Sequence, residues 1–195
     1  MKRIKPHGRE QLVLAAFLIA AIVLGLLIFG KYQASRDLPV VRPEPKPTGT
    51  VQVTLFFATP DAEGLAREGR QVPACESLPD CVSSLVDEVA NGPVGDLHPT
   101  LPPNAVVHDV RIEGETAVVD FGSDLVAGLP GGSSSEMAAV YSVVDTICLN
   151  YPQIKGVKFL VDGAEVETLT GHLDLRLPIF PDFSLEKNDK KVTTP

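Results

Sequence analysis

Residues 12–29 read LVLAAFLIAAIVLGLLIF, eighteen positions without one charge. A helix of that length rises about 27 Å at 1.5 Å per residue, close to the thickness of a bilayer's hydrocarbon layer. The run is apolar on every side and a proline-rich stretch follows it, so a buried core helix with a polar outer face is a poor reading. Lys2, Arg3, Lys5 and Arg9 precede the run and only Lys31 and Arg36 follow closely. This bias places the N-terminus in the cytoplasm and the rest of the chain outside. A cleaved signal peptide is the competing reading, but the best small-residue site, Tyr32-Gln33-Ala34, puts a bulky Tyr where Ala is wanted. No Cys follows the run closely, which argues against a lipid anchor.

The expected organisation is a basic cytoplasmic segment over 1–11, a transmembrane signal anchor over 12–30, a linker over 31–50, a folded domain over 51–182 and a disordered tail over 183–195. Pro39, Pro43, Pro45 and Pro47 favour an extended linker, with a reach of roughly 40 Å at 3.1 Å per residue. Residues 1–36 hold six Lys or Arg and one Glu, which leaves 11 basic and 24 acidic residues beyond them. So acidic a segment disfavours binding to a phosphate backbone, and the absence of Trp disfavours a stacking platform for sugars.

Within the domain, Val51, Val53, Leu55 and Phe57 alternate with their neighbours as in a strand, which breaks at Pro60-Asp61. A short second strand over 65–72 is compatible with the pattern. Val82, Leu85, Val86 and Val89 lie at helical spacing, and Gly92-Pro93 ends that helix. Two strands, 105–112 and 116–121, flank Glu113-Gly114-Glu115 as a hairpin. Ser133 and Glu136 stand at capping-box spacing ahead of a stripe of Met137, Val140, Tyr141, Val144 and Cys148, a second helix ending near Tyr151-Pro152. Segments 157–161 and 164–169 enclose Asp162-Gly163, a two-residue hairpin turn. The order is strand, helix, hairpin, helix, hairpin. Two amphipathic helices must cover one face of a small sheet, which makes an α+β domain.

Chemistry is sparse. His7, His98, His108 and His172 are isolated, with no metal-ligand spacing. Ser133 to Ser135 lack a nucleophile elbow, and Asp120 and Asp124 follow a strand end, where carboxylates cap turns. Gly131-Gly132 lacks the Lys of a phosphate loop. No metal, cofactor or small-molecule substrate is expected. On the oxidising side of a membrane Cys75 and Cys81 are close enough to pair, Cys81 with Cys148 is an alternative, and so is the absence of any disulfide. Cys148 lies on the helix stripe and suits a core thiol.

Gly92-Pro93 after a helix, Leu101-Pro102 before a hairpin ending Ala117-Val118-Val119-Asp120-Phe121, a helix bearing Thr146, the Asp162-Gly163 turn and Gly171-His172 together resemble the GerMN domain of the sporulation and spore germination family. The resemblance spans about 51–180. It implies a membrane-tethered extracytoplasmic α+β domain, similar to the ring-building modules of envelope machines and acting through contacts with envelope proteins or with itself. On that reading the chain is a non-enzymatic scaffold of the cell or spore envelope. A binding module for a non-protein envelope ligand such as peptidoglycan is the alternative, and an envelope hydrolase a further one.

Overall fold

The structure is a computed structural model that describes residues 7–36 and 49–187. The start of the basic segment, most of the proline linker and the last eight residues lie outside the described residues. The chain divides into two compact units, Met1–Glu44 and Pro45–Pro195.

The first unit contains α1 (His7–Arg36), whose large apolar side chains from Val13 to Phe29 are exposed. The expected transmembrane helix is not supported: among the described residues no helix is long and apolar enough to cross a membrane.

The second unit is mixed α+β, with two sheets instead of the single sheet expected. β1 (Thr50–Ala58) and β2 (Leu65–Pro73) form an antiparallel pair of their own, in register from Thr50 opposite Pro73 to Ala58 opposite Leu65. The other sheet has the order β3-β4-β5-β6, built from β3 (Val107–Glu113), β4 (Thr116–Phe121), β5 (Gly156–Val161) and β6 (Ala164–Glu165). β4 and β5 run parallel, so the chain between them must cross over. That crossover holds a five-residue helix, α3 (Asp124–Gly128), and α4 (Ser133–Asn150). α2 (Leu78–Ala90) buries Val82, Leu85, Val86 and Val89, the stripe read from its spacing, and packs on β1, β3 and α4.

Four differences from expectation follow from chain that closes over α4 or over the second face of the sheet. The stripe forecast for α4 is buried at Val140, Val144 and Cys148, but Met137 is exposed and the buried surface is wider than one stripe, with every residue from Ser142 to Cys148 shielded. The capping box does not form, because Gly132 holds the N-cap position with no side-chain cap bond and Glu136 reaches elsewhere. The last hairpin strand stops at Glu165, since the chain leaves the sheet to cover its second face, where the buried Lys158 donates to the backbone carbonyls of Leu175 and Arg176. The tail expected from 183 onward instead begins with a 3-10 turn (Phe183–Leu185) and continues as structured chain to Lys187.

The core is continuous across both sheets, α2 and α4. Phe121 and Phe159 stack at its centre with ring centroids 5.9 Å apart. Asp162 and Gly163 close the β5–β6 turn with φ of +51° and +77°, the mirror-image turn that an Asp-Gly pair suits.

Cys75 and Cys81 are joined by a disulfide with Cα atoms 5.2 Å apart. It closes the entry to α2, where Ser77 caps the helix by accepting from the Asp80 N–H. Cys148 is a buried free thiol, and burial pushes its pKa up to about 12. Closing so short a loop contributes about 2 kcal/mol in the chain-entropy description. The Cys75→Ala/Cys81→Ala variant is therefore expected to unfold about 2 kcal/mol more easily in urea. An unchanged midpoint would show that the α2 entry is held without the bond.

Candidate functional site

α4 carries four buried polar side chains, Glu136, Ser142, Asp145 and Thr146. A helix can keep such groups inside only if each finds a partner. In this domain they find them on four segments distant in sequence.

Glu136 is fully buried. One carboxylate oxygen accepts the Leu169 N–H at 2.7 Å and the Thr170 N–H at 3.0 Å. The other accepts the His172 N–H at 2.7 Å and the Thr170 hydroxyl at 3.0 Å. Gly171, with φ of +99°, lets the backbone curl so that these amides converge. Burial pushes the Glu136 pKa up, but the backbone bonds from Thr170, His172 and Leu169 and the Thr170 hydroxyl outweigh it and hold the carboxyl below its usual range. The His172 ring stands 3.4 Å from the carboxylate and is half exposed.

Thr146 and Asn150 close the edge of β1 that faces away from β2. The Thr146 hydroxyl accepts the Phe56 N–H at 3.1 Å. The Asn150 amide accepts from the Thr54 N–H at 3.0 Å and donates to the Thr54 carbonyl at 2.7 Å. Two side chains thus stand where a neighbouring strand would be. Ser142 accepts from the Thr100 hydroxyl at 2.7 Å and donates to the Ala139 carbonyl at 3.0 Å. Asp145 accepts the Asp182 N–H at 3.0 Å.

The other positions singled out in the sequence are dispersed. Gly92, with φ of +81°, ends α2, and its carbonyl accepts from Arg70 at 2.9 Å. Pro93 follows, and the next two amides, Val94 and Gly95, donate to Glu68. Leu101 lies in the core, and the Pro102 carbonyl accepts from the Ala105 N–H. Asp120 accepts the Gly163 N–H at 2.8 Å and Asp162 accepts the Ser123 N–H at 3.3 Å, so these four residues bind the β4 and β5 ends together. His108 Nδ1 is 3.7 Å from the Asp162 carboxylate. Among the described residues no group of three or more His, Cys, Asp or Glu is placed to hold a metal ion.

Beside the amino end of α4 lies an apolar groove of about 280 Å³, walled by Ala58, Pro99, Leu129, Pro130, Met137 and Leu185, with Glu63 and His98 among its polar lining. Sequence reasoning did not find this groove, because its walls come from five separate segments. It also missed the roles of Glu136, Asp145 and Asn150. The available signal was the presence of Glu and Asp on a helix otherwise apolar enough to be central.

The family profile described as Germane, sporulation and spore germination, matches residues 54–167. Among solved structures, the tandem GerMN domains of the sporulation protein GerM from Bacillus subtilis are similar at 17% identity and a TM-score of 0.55, over 77% of this chain and 51% of that chain. The first GerMN domain of the same protein gives 21% identity and 0.49, over 68% and 96%. A Clostridium perfringens structure gives 22% and 0.49, over 75% and 99%. At such identities the tandem structure speaks to the fold alone. Comparison with curated proteins yields no match. The profile covers more than half of the chain, β1 to β6 all but complete, and the chain belongs to the sporulation and spore germination family.

Proposed function

We propose that the chain is a non-enzymatic interaction module of the cell or spore envelope, held at a membrane with its folded domain on the extracytoplasmic side. One observation carries this reading: the polar side chains of α4 bind the domain's own backbone and hydroxyls. Glu136, Thr146 and Asn150 have their hydrogen-bonding capacity engaged internally, in contrast to a catalytic acid or nucleophile that faces a cleft. The apolar groove lies outside that network, and its shape and lining suit an apolar side chain of a protein partner. The exposed apolar side chains of α1 and the basic excess of residues 1–36 support membrane association. Membership of the family supports the envelope setting.

The test is a photo-crosslinking amino acid placed at Met137, on the groove wall, in the full chain in intact cells, with Val94 on the domain surface as the control position. A discrete protein adduct from Met137 and none from Val94 is the expected result. Adducts confined to wall glycopeptides would move the assignment to a wall-binding module, and the same adduct pattern from both positions would sink the groove as the contact.

A further inference from the structure

Residues 179–187 form a strap over α4 and the β1–β2 sheet. Its start is tied to β5 by paired backbone bonds, Val157 N–H to the Ile179 carbonyl at 2.9 Å and Ile179 N–H to the Val157 carbonyl at 2.8 Å. Its end is tied to β2 by the Lys187 N–H, which donates to the Leu65 carbonyl at 2.7 Å, and by Glu186, which pairs with Arg67 at 2.7 Å. Between these ties the Phe183 ring sits 6.1 Å from that of Phe56, and the Asp182 N–H donates to Asp145. Leu185, from the same stretch, forms a wall of the apolar groove.

The centre of the strap rests on an electrostatic conflict. Asp145 is 1% exposed, and its second carboxylate oxygen is buried with no hydrogen-bond partner among the described residues. The strap presents two more carboxylates to it, Asp182 and Glu186; from β2 only Arg67 opposes them, and Tyr141 and Cys148 share its helix. Of the two strap carboxylates, Glu186 is paired with Arg67 and Asp182 accepts from the Ser184 N–H and hydroxyl. An ionised Asp145 under this cover has one hydrogen bond, little water and two like charges nearby. A protonated Asp145 removes the repulsion and gains a donor for the oxygen that lacks a partner.

We propose that Asp145 is a proton-controlled latch for the strap: with the carboxyl protonated the segment 182–187 lies docked, and ionisation lifts it, withdrawing Leu185 from the groove and uncovering Phe56 and the Leu65 carbonyl. Burial first, then the Asp182 and Glu186 charges, raise the Asp145 pKa to about 6, against the Asp182 N–H and Arg67. The docked state therefore holds the proton more tightly than a solvated aspartate does, whose pKa is about 3.9. Docking is at full strength below about pH 4, weakens as the pH rises and loses no more once the pH has passed about 6. A separation of two pH units bounds the change in the docking equilibrium at about 100-fold.

The experiment is amide hydrogen exchange on the full chain in detergent micelles from about pH 4 to pH 8, expressed as protection relative to intrinsic rates. Protection of the Asp182 and Lys187 amides is expected to fall by about 10- to 100-fold across that range while that of Ile179 stays level. Asp145→Asn, which is neutral throughout, is expected to remove the slope. Flat protection in the natural chain, or a slope that survives in Asp145→Asn, overturns the proposal. If that variant does not fold, a carbon-13 carboxyl titration of Asp145 in the natural chain takes its place. A titration midpoint that coincides with the midpoint of strap protection supports the latch, and a separation of the two overturns it.

Discussion

Glu136→Ala is expected to lower the unfolding free energy of the domain by about 3–4 kcal/mol, one of the largest effects a single polar residue here can have. The substitution leaves the amides of Leu169, Thr170 and His172 and the Thr170 hydroxyl without their acceptor. Each buried donor left unpaired costs about 1–3 kcal/mol, and water reaching the half-exposed part of the loop keeps the sum below the simple total. Glu136→Gln keeps one acceptor oxygen but turns an NH2 group toward N–H donors, so a loss of about 2 kcal/mol is expected. The sign of the pH dependence follows from the depressed carboxyl. Its stabilisation is complete above the unfolded-state value of about 4.3 and is lost as the pH falls through the lower folded-state value. Urea unfolding of both variants at neutral pH and near pH 3 tests this. In Glu136→Gln the acid-induced loss of stability should shrink, and an undiminished loss would show that the 169–172 loop is held by something else.

The second large effect is expected from Thr146→Val combined with Asn150→Leu. Both replacements keep the approximate volume on α4 and remove the acceptors and the donor that satisfy Thr54 and Phe56 of β1. A loss of about 3 kcal/mol follows from one fully buried and two partly buried backbone groups left unpaired. Core packing of Leu55 and Phe57 is untouched. The diagnostic reading is therefore local: exchange of the Thr54 and Phe56 amides should accelerate more than that of β4 amides such as Val119. Uniform acceleration would mean that the double variant loosens the whole core and that the β1 edge has no particular dependence on α4. A free β1 edge is also a template for pairing with another chain, so concentration-dependent aggregation of this variant is the accompanying expectation.

The legibility of the chain varies with the range of the forces involved. α2 is readable because its apolar stripe and its C-terminal Gly92 are local signals. The β3–β4 hairpin and the Asp162-Gly163 turn are readable for the same reason. α4 is readable as a helix but not as the centre of the domain. Periodicity can report one buried face; it cannot report that the 98–100 segment, the 169–172 loop and the strap close over the remaining faces. Ser133 and Glu136 illustrate the point. Their spacing fits a capping box, yet a fully buried carboxylate gains more from four donors of a distant loop than from one amide at its own helix end. The strap is invisible to a sequence reading because Ile179, Phe180, Phe183 and Leu185 follow neither a helical nor a strand period, and its order derives from backbone bonds to β2 and β5.

By itself the sequence determined the α+β class, the positions of the main helices and turns, the acidic character of the domain and the set of residues that mark the family. These depend on propensity, period and turn chemistry, interactions that reach four residues or fewer along the chain. Only the tertiary structure decided that β1 and β2 form a separate sheet, that α4 is enclosed, that Glu136 and Asp145 are buried against the chain that follows them, and that a groove opens beside Met137. The physical reason is that a buried polar group is satisfied by whichever donor the fold brings within about 3 Å, and the identity of that donor is set by the packing of segments up to 96 residues apart.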